Sequence, residues 1–177
     1  MIEKKVFREK SLNRLKRIKR KYKIDRYVMS ELYAYIKRNK AQSILLYLPL
    51  KMEVDIYPLI THLRKEKKQI YVPFMEGDSF RVVKYRLPLR KKQFGIKEPL
   101  HSRQYRKRNI DIAIVPILGV DSTLRRVGFG KGMYDRFFEK QNKYINKTVF
   151  VARELCYSKK IITNYYDIKA NLIIAAK

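Results

Sequence analysis

The chain has 177 residues, 46% of them hydrophobic, enough for one compact domain that buries its own core. A single cysteine, Cys156, excludes an internal disulfide, and with only His62 and His101 besides, a zinc site is not expected; Cys156 reads as a packed small hydrophobe. The net charge of +27 attracts polyanions of any kind, and with 14 tyrosines for base stacking it keeps open a basic RNA-binding or ribosome-associated protein without catalytic activity.

From the amino terminus, Val6, Phe7, Leu15, Ile18 and Tyr22 recur at helical spacing. A second apolar periodicity, from Tyr27 to Ile36, follows Asp25, which reads as its N-cap, so the first forty residues predict two helices. Short, apolar, partly β-branched runs at 43–48, 69–72, 110–115, 148–152 and 172–175 suit strands buried on both faces of a sheet. A helical stretch at 54–66 separates the first two. Residues 86–108 read as a basic surface excursion rather than a domain linker. The strand at 110–115 ends at Pro116, a loop covers 117–125, and a glycine-rich segment then opens a helix reaching about Phe138.

This alternation predicts an α/β layered fold, one domain over residues 1–177, with a mainly parallel, Rossmann-like central sheet and its ligands beyond the carboxyl ends of the strands. The basic residues concentrate at 1–40, with 15 Lys and Arg against 4 Asp and Glu, and at 81–108, with 11 against 1. There they interleave with regularly spaced apolar residues, the pattern of a charged outer face on a globular core. The longest apolar stretches, 44–50 and 112–120, fall short of the ~20 residues of a membrane span. The amino terminus shows no apolar signal-peptide core, so a soluble cytoplasmic protein is expected.

The segment from Arg126 to Arg136 places three of the six glycines, Gly128, Gly130 and Gly132, within five residues. Glycine permits tight turns and close backbone approach, and a helix start offers unpaired N–H groups at a positive dipole end. With Arg126 and Lys131 beside them, the expected guest is a polyphosphate. The spacing matches neither the dinucleotide fingerprint nor the P-loop, and a plain strand-to-helix turn is the alternative for the cluster taken alone.

Several segments in order resemble the 5-formyltetrahydrofolate cyclo-ligase family, also called methenyltetrahydrofolate synthetase. They are Lys4-Lys5-Val6-Phe7-Arg8, Glu53-Val54-Asp55, Phe94-Gly95-Ile96-Lys97-Glu98-Pro99, Ile114-Val115-Pro116 with Gly119-Val120-Asp121, and Arg126-Val127-Gly128-Phe129-Gly130-Lys131-Gly132-Met133-Tyr134-Asp135-Arg136. The last is specific on its own; order and spacing lend weight to the others. The resemblance implies a three-layer α/β fold and a one-carbon-metabolism ligase. That enzyme converts 5-formyltetrahydrofolate to 5,10-methenyltetrahydrofolate with ATP and magnesium, releasing ADP and phosphate.

By the same resemblance, Lys4, Lys5, Val6, Phe7 and Arg8 would meet the nucleotide, and Arg126, Val127, Gly128, Phe129, Gly130, Lys131, Gly132, Met133 and Tyr134 would hold its phosphates. Arg126, Lys131 and Asp135 would serve the chemistry, with Asp135 on magnesium; Leu50, Glu53, Asp55, Phe129 and Met133 would contact the folate. Glu53 and Asp55 also precede a helix they are able to cap, Lys4 and Arg8 have an alternative as solvated charges, and Asp135 as a partner of the helix dipole. Met133 stands where the family usually has an aromatic, Leu124 where a turn glycine is common, and Asn171 where some members place an acidic metal contact. Partners implied are a folate, with or without a polyglutamate tail, with no obligate nucleic acid, no membrane and a monomeric state.

Overall fold

A computed structural model describes residues 2–92, 95–100 and 109–176. The two amino-terminal helices are α1 (Ile2–Arg17) and α2 (Lys21–Arg38). Asp25 does not cap the second. It lies inside α2, buried, with its carboxylate on Arg153, while Arg20 holds the cap position in a left-handed conformation. The local pattern of an acid before an apolar run hides this, because a buried carboxylate needs a partner and this one is 128 residues away.

Each predicted strand run becomes a strand: β1 (Ser43–Leu45), β2 (Gln69–Glu76), β6 (Ile110–Pro116), β9 (Ile145–Glu154) and β11 (Leu172–Ala176). With β3 (Ser79–Lys84) they form one sheet ordered β11-β9-β6-β1-β2-β3, parallel throughout except for the β2–β3 hairpin. Alternate residues feed two cores. Ile44, Ile112, Ile114, Val149 and Val151 pack with α2 and with α3 (Tyr57–Lys65), through Leu32, Ile36, Ile60 and Leu63. Leu45, Ala113, Val115 and Phe150 face the other way, against Phe137 and Phe138 of α4 (Met133–Gln141). Burial on both faces explains why these strands read as continuous apolar runs, and it gives the mainly parallel, layered α/β architecture. Cys156 is buried, as expected of a packing residue.

The predicted loop at 117–125 is a correction. It contains β7 (Gly119–Asp121), which pairs with β8 (Arg126–Val127) as a hairpin, and β10 (Cys156–Ser158) joins β7 in parallel to make a three-stranded sheet. Both strands are too short to show a periodicity of their own. Asp121, fully buried, accepts hydrogen bonds from the amides of Thr123, Ile162 and Thr163 and from both threonine hydroxyls. These bonds hold its carboxyl far below the usual range against the opposing effect of burial, and tie the carboxyl-terminal segment over the hairpin.

Leu124 closes the hairpin turn with φ +59°, its amide donating to the Asp121 carbonyl, while its side chain is exposed. A left-handed conformation costs a β-carbon-bearing residue about 1–2 kcal/mol, and glycine offsets part of that gain through its greater chain entropy. Leu124→Gly is therefore expected to stabilise the fold by up to about 1 kcal/mol in chemical denaturation; a loss of stability would show that the exposed leucine packs against something.

The basic excursion contains a small hairpin, β4 (Leu89–Lys91) with β5 (Lys97–Pro99). Residues 93 and 94 and residues 101–108 lie outside the described residues, including Phe94 of the Phe-Gly-Ile element and His101. Among the described residues, no helix is long and apolar enough to cross a membrane.

Candidate active site

Beyond the carboxyl ends of β1, β2 and β6 the chain leaves a cleft of about 760 Å³ of open space. Tyr47, Leu48 and Leu50 follow β1, Pro73 and Met75 come from β2, Phe80 from β3, and Pro116 ends β6. Across from them stand Arg126, Phe129, Lys131, Gly132, Met133 and Tyr134. Position follows from topology, since a parallel sheet leaves its crevice at that end.

The glycine segment is shaped as its composition predicts. Gly130 and Gly132 take φ of +114° and +65°, and Gly132 is the residue from which α4 starts. Gly128 lies so close over the Arg126 guanidinium that a β-carbon there would sit 2.3 Å from Nη1. Arg126 is itself 4% exposed. Its Nε and Nη2 donate to the Pro116 carbonyl at 3.2 and 3.1 Å, Nη1 donates to Asp135 at 3.3 Å, and the group sits 5.0 Å from the Tyr134 ring centre. Buried and braced, it forms a fixed positive floor beneath the segment.

Asp135 gives one carboxylate oxygen to Arg126; the other, Oδ1, is buried with no hydrogen-bond partner among the described residues. An orphaned carboxylate oxygen is the kind of group that asks for a cation or water. From α1, the Arg8 Nε donates to the Gly128 carbonyl at 3.0 Å, bringing the amino-terminal element to the glycine segment. Lys4 pairs with the buried Asp167, which also accepts the Asn164 amide. Lys5 and Val6 are exposed and Phe7 is half-buried.

On the opposite wall, Glu53 and Leu50 form a tight turn in which the Leu50 amide donates to the Glu53 carboxylate at 2.8 Å and the Glu53 amide to the Leu50 carbonyl. Burial pushes the Glu53 carboxyl up to about 7, against the Leu50 amide, Arg126 and Arg153, which favour its charged form. Burial, together with Glu53, also raises the phenols of Tyr47 and Tyr134, so both stay neutral donors. Tyr47 spends its proton on the Val54 carbonyl. The cleft thus combines apolar walls, one carboxyl balanced near neutrality and a cationic, glycine-rich rim.

The cleft gathers Leu50, Glu53, Phe129 and Met133 with Arg126, Lys131, Gly132 and Tyr134. Asp55 is not in its lining: exposed, it accepts the Tyr57 amide at the start of α3, the capping alternative the sequence left open. Asn171 gives its side-chain oxygen to the Thr148 amide. Sequence reasoning gave no site role to Asp167, four residues earlier, or to the wall formed by Pro73, Met75 and Phe80, which look like any core strand residues until the sheet is assembled; Ile96, from the Phe-Gly-Ile element, joins that wall.

The profile of the 5-formyltetrahydrofolate cyclo-ligase family matches residues 1–171. A 5-formyltetrahydrofolate cyclo-ligase of Haemophilus influenzae is 27% identical over 140 residues, 75% of each chain, and that of Escherichia coli K12 is 23% identical over 146 residues, 76% of this chain and 78% of its own. The solution structure of Aquifex aeolicus 5,10-methenyltetrahydrofolate synthetase superposes with a TM-score of 0.81 at 27% identity, covering 97% of this chain and 89% of that one. A Mycoplasma pneumoniae 5,10-methenyltetrahydrofolate synthetase shares the fold at a TM-score of 0.73 and 21% identity, over 97% of both chains.

Proposed function

The chain belongs to the 5-formyltetrahydrofolate cyclo-ligase family, and from that membership we propose that it closes 5-formyltetrahydrofolate to 5,10-methenyltetrahydrofolate with ATP and magnesium, as one domain over residues 1–177. The observation that supports this reading is the cleft itself, where an apolar slot ending on Glu53 adjoins the rim carrying Gly128, Gly130, Lys131 and Gly132. A slot of that kind suits a flat pterin, whose amino-bearing edge donates hydrogen bonds to a carboxylate. The rim suits phosphates.

A formamide carbonyl is a poor electrophile. Phosphorylation of the formyl oxygen by ATP makes that oxygen a leaving group as phosphate, and attack of the neighbouring folate nitrogen on the formyl carbon then closes the ring. The closure is intramolecular, so holding the two groups together supplies much of the rate. In the phosphoryl step the protein neutralises and aligns charge. Lys131 is the charge partner of the transferred group; Arg126 supports the segment from below and adds a fixed positive charge. Leu50 and Glu53 orient the pterin, and Phe129 and Met133 flank it. Arg8 joins the amino-terminal element to the phosphate rim.

Magnesium fits the residues present, because Asp135 offers a hard, buried oxygen with no hydrogen-bond partner among the described residues, and this ion commonly keeps waters and substrate phosphates as its other ligands. When bound, it would neutralise phosphate charge. Asp135→Asn is expected to raise the magnesium concentration for half-maximal rate about tenfold; an unchanged dependence would leave Asp135 with the Arg126 contact as its whole role.

The direct test is purified protein with ATP, magnesium and 5-formyltetrahydrofolate, followed by the absorbance of the methenyl product. Folded protein that forms no product in an ATP-dependent way overturns the proposal. Tight, steeply salt-dependent RNA binding indifferent to changes at Gly128 would favour the RNA-binding alternative. The same reading carries a monomer acting in the cytoplasm, without nucleic acid, on a folate whose polyglutamate tail the +27 surface would attract.

A further inference from the structure

We propose that the buried Asp25–Arg153 pair is a positioning device for Glu53, clamping the loop that carries it from both sides. The inference rests on the cleft being the folate site. Arg153, near the carboxyl end of β9, and Asp25, inside α2, are 7% and 5% exposed. Arg153 Nε and Nη2 donate to the two oxygens of Asp25 at 2.7 and 2.8 Å, a bidentate pair.

Among the described residues, each partner's side chain makes one further hydrogen bond, and both go to one loop. Arg153 Nη1 donates to the Lys51 carbonyl at 3.1 Å, and Asp25 Oδ2 accepts the Asp55 amide at 3.1 Å. Lys51 and Asp55 lie two residues before and two residues after Glu53. The inner turn between Leu50 and Glu53 then aims the carboxylate at the cleft.

Stability alone does not explain the pair. Apolar residues of similar volume often replace a buried ion pair without loss, because desolvation offsets the attraction. What they cannot supply is two directional bonds to the backbone on either side of one side chain.

The test is the double variant Asp25→Leu/Arg153→Met, which removes both charges together and strands neither. It is expected to melt near the wild type, to exchange the Asp55 amide faster in the free protein, and to raise KM for 5-formyltetrahydrofolate about tenfold with KM for ATP within about twofold. A folded double variant with wild-type Asp55 exchange and wild-type folate KM overturns the proposal. Should the double variant fail to fold, Arg153→Lys decides: it keeps a cation beside Asp25 but lacks the fork that reaches Lys51, and an unchanged folate KM counts against the clamp. Faster Asp55 exchange in a double variant whose wild-type parent makes no methenyl product would support the clamp and overturn the folate reading.

Discussion

Gly128→Ala is expected to remove most ATP-dependent activity while leaving a folded protein. The added β-carbon falls 2.3 Å from Arg126 Nη1 and 2.6 Å from both Cζ and Nη2. A long side chain usually swings away from such a clash. This one is braced at every nitrogen, by the Pro116 carbonyl and Asp135, and lies against Tyr134. If Arg126 gives, Asp135 loses its ion-pair partner while its other oxygen has no hydrogen-bond partner among the described residues, so the proposed cation site and the floor of the rim fail together. If the backbone gives instead, the segment rises and the Arg8 bond to the Gly128 carbonyl lengthens. Either route moves the glycine-rich rim by the order of an ångström, and misplacement on that scale costs about 10²-fold in rate. The comparison is kcat/KM for ATP with far-ultraviolet circular dichroism on the same sample. Near-wild-type turnover would mean that the segment does not hold the phosphates.

The segment around Gly128 was legible because its chemistry is local. Three glycines before an apolar helical pattern announce a strained turn, and φ of +114° and +65° at Gly130 and Gly132 are what only glycine takes readily. The parallel strands were legible for a related reason: β6 over 112–116 and β9 over 149–152 are buried on both faces, so those stretches are apolar without interruption. Asp25 was misread because its partner, Arg153, is set by the packing of α2 on the sheet, and no local pattern carries that. The β7–β8 hairpin was hidden by its own turn chemistry, in which Asp121 and Ser122 mark a loop although Asp121 is the buried anchor of the carboxyl-terminal segment. At the site, the charged and glycine residues stood out, whereas the wall of Pro73, Met75 and Phe80 did not, since an apolar side chain looks the same facing a core or a cleft.

Asp55 and Glu53 show how one motif divides once it is folded. Two residues apart, they point to different tasks: Asp55 turns to the first amide of α3, and Glu53 turns into the cleft. The sequence offered capping and ligand contact for each alike, and the clamp on the loop is what separates them.

Glu53→Gln should make the protein more stable and less active. Burial holds the carboxyl at about 7, above its ordinary 4.5, so between those values the folded protein keeps a proton that the unfolded chain has released. A raised pKa of this kind gives stability that is complete below about pH 4.5 and is lost as pH climbs through 7, by no more than about 3 kcal/mol. Glutamine resembles the protonated form and does not titrate. The variant should therefore match the wild type at pH 4 and exceed it in melting temperature at pH 8. Activity should run the other way. A pterin edge that donates hydrogen bonds prefers the carboxylate, so wild-type kcat/KM for the folate should rise through pH 7, and that limb should be absent from the variant. At pH 8 the loss should lie between about 10- and 100-fold, the value of hydrogen bonds to a charged acceptor. The groups that set this limb are the Leu50 amide, Arg126 and Arg153, which favour the anion, against the burial that opposes it. A structural glutamate would lose stability on substitution and leave the pH profile in place. Higher stability at pH 8 together with a flattened folate profile is the pattern of a carboxyl kept in an unfavourable place for binding.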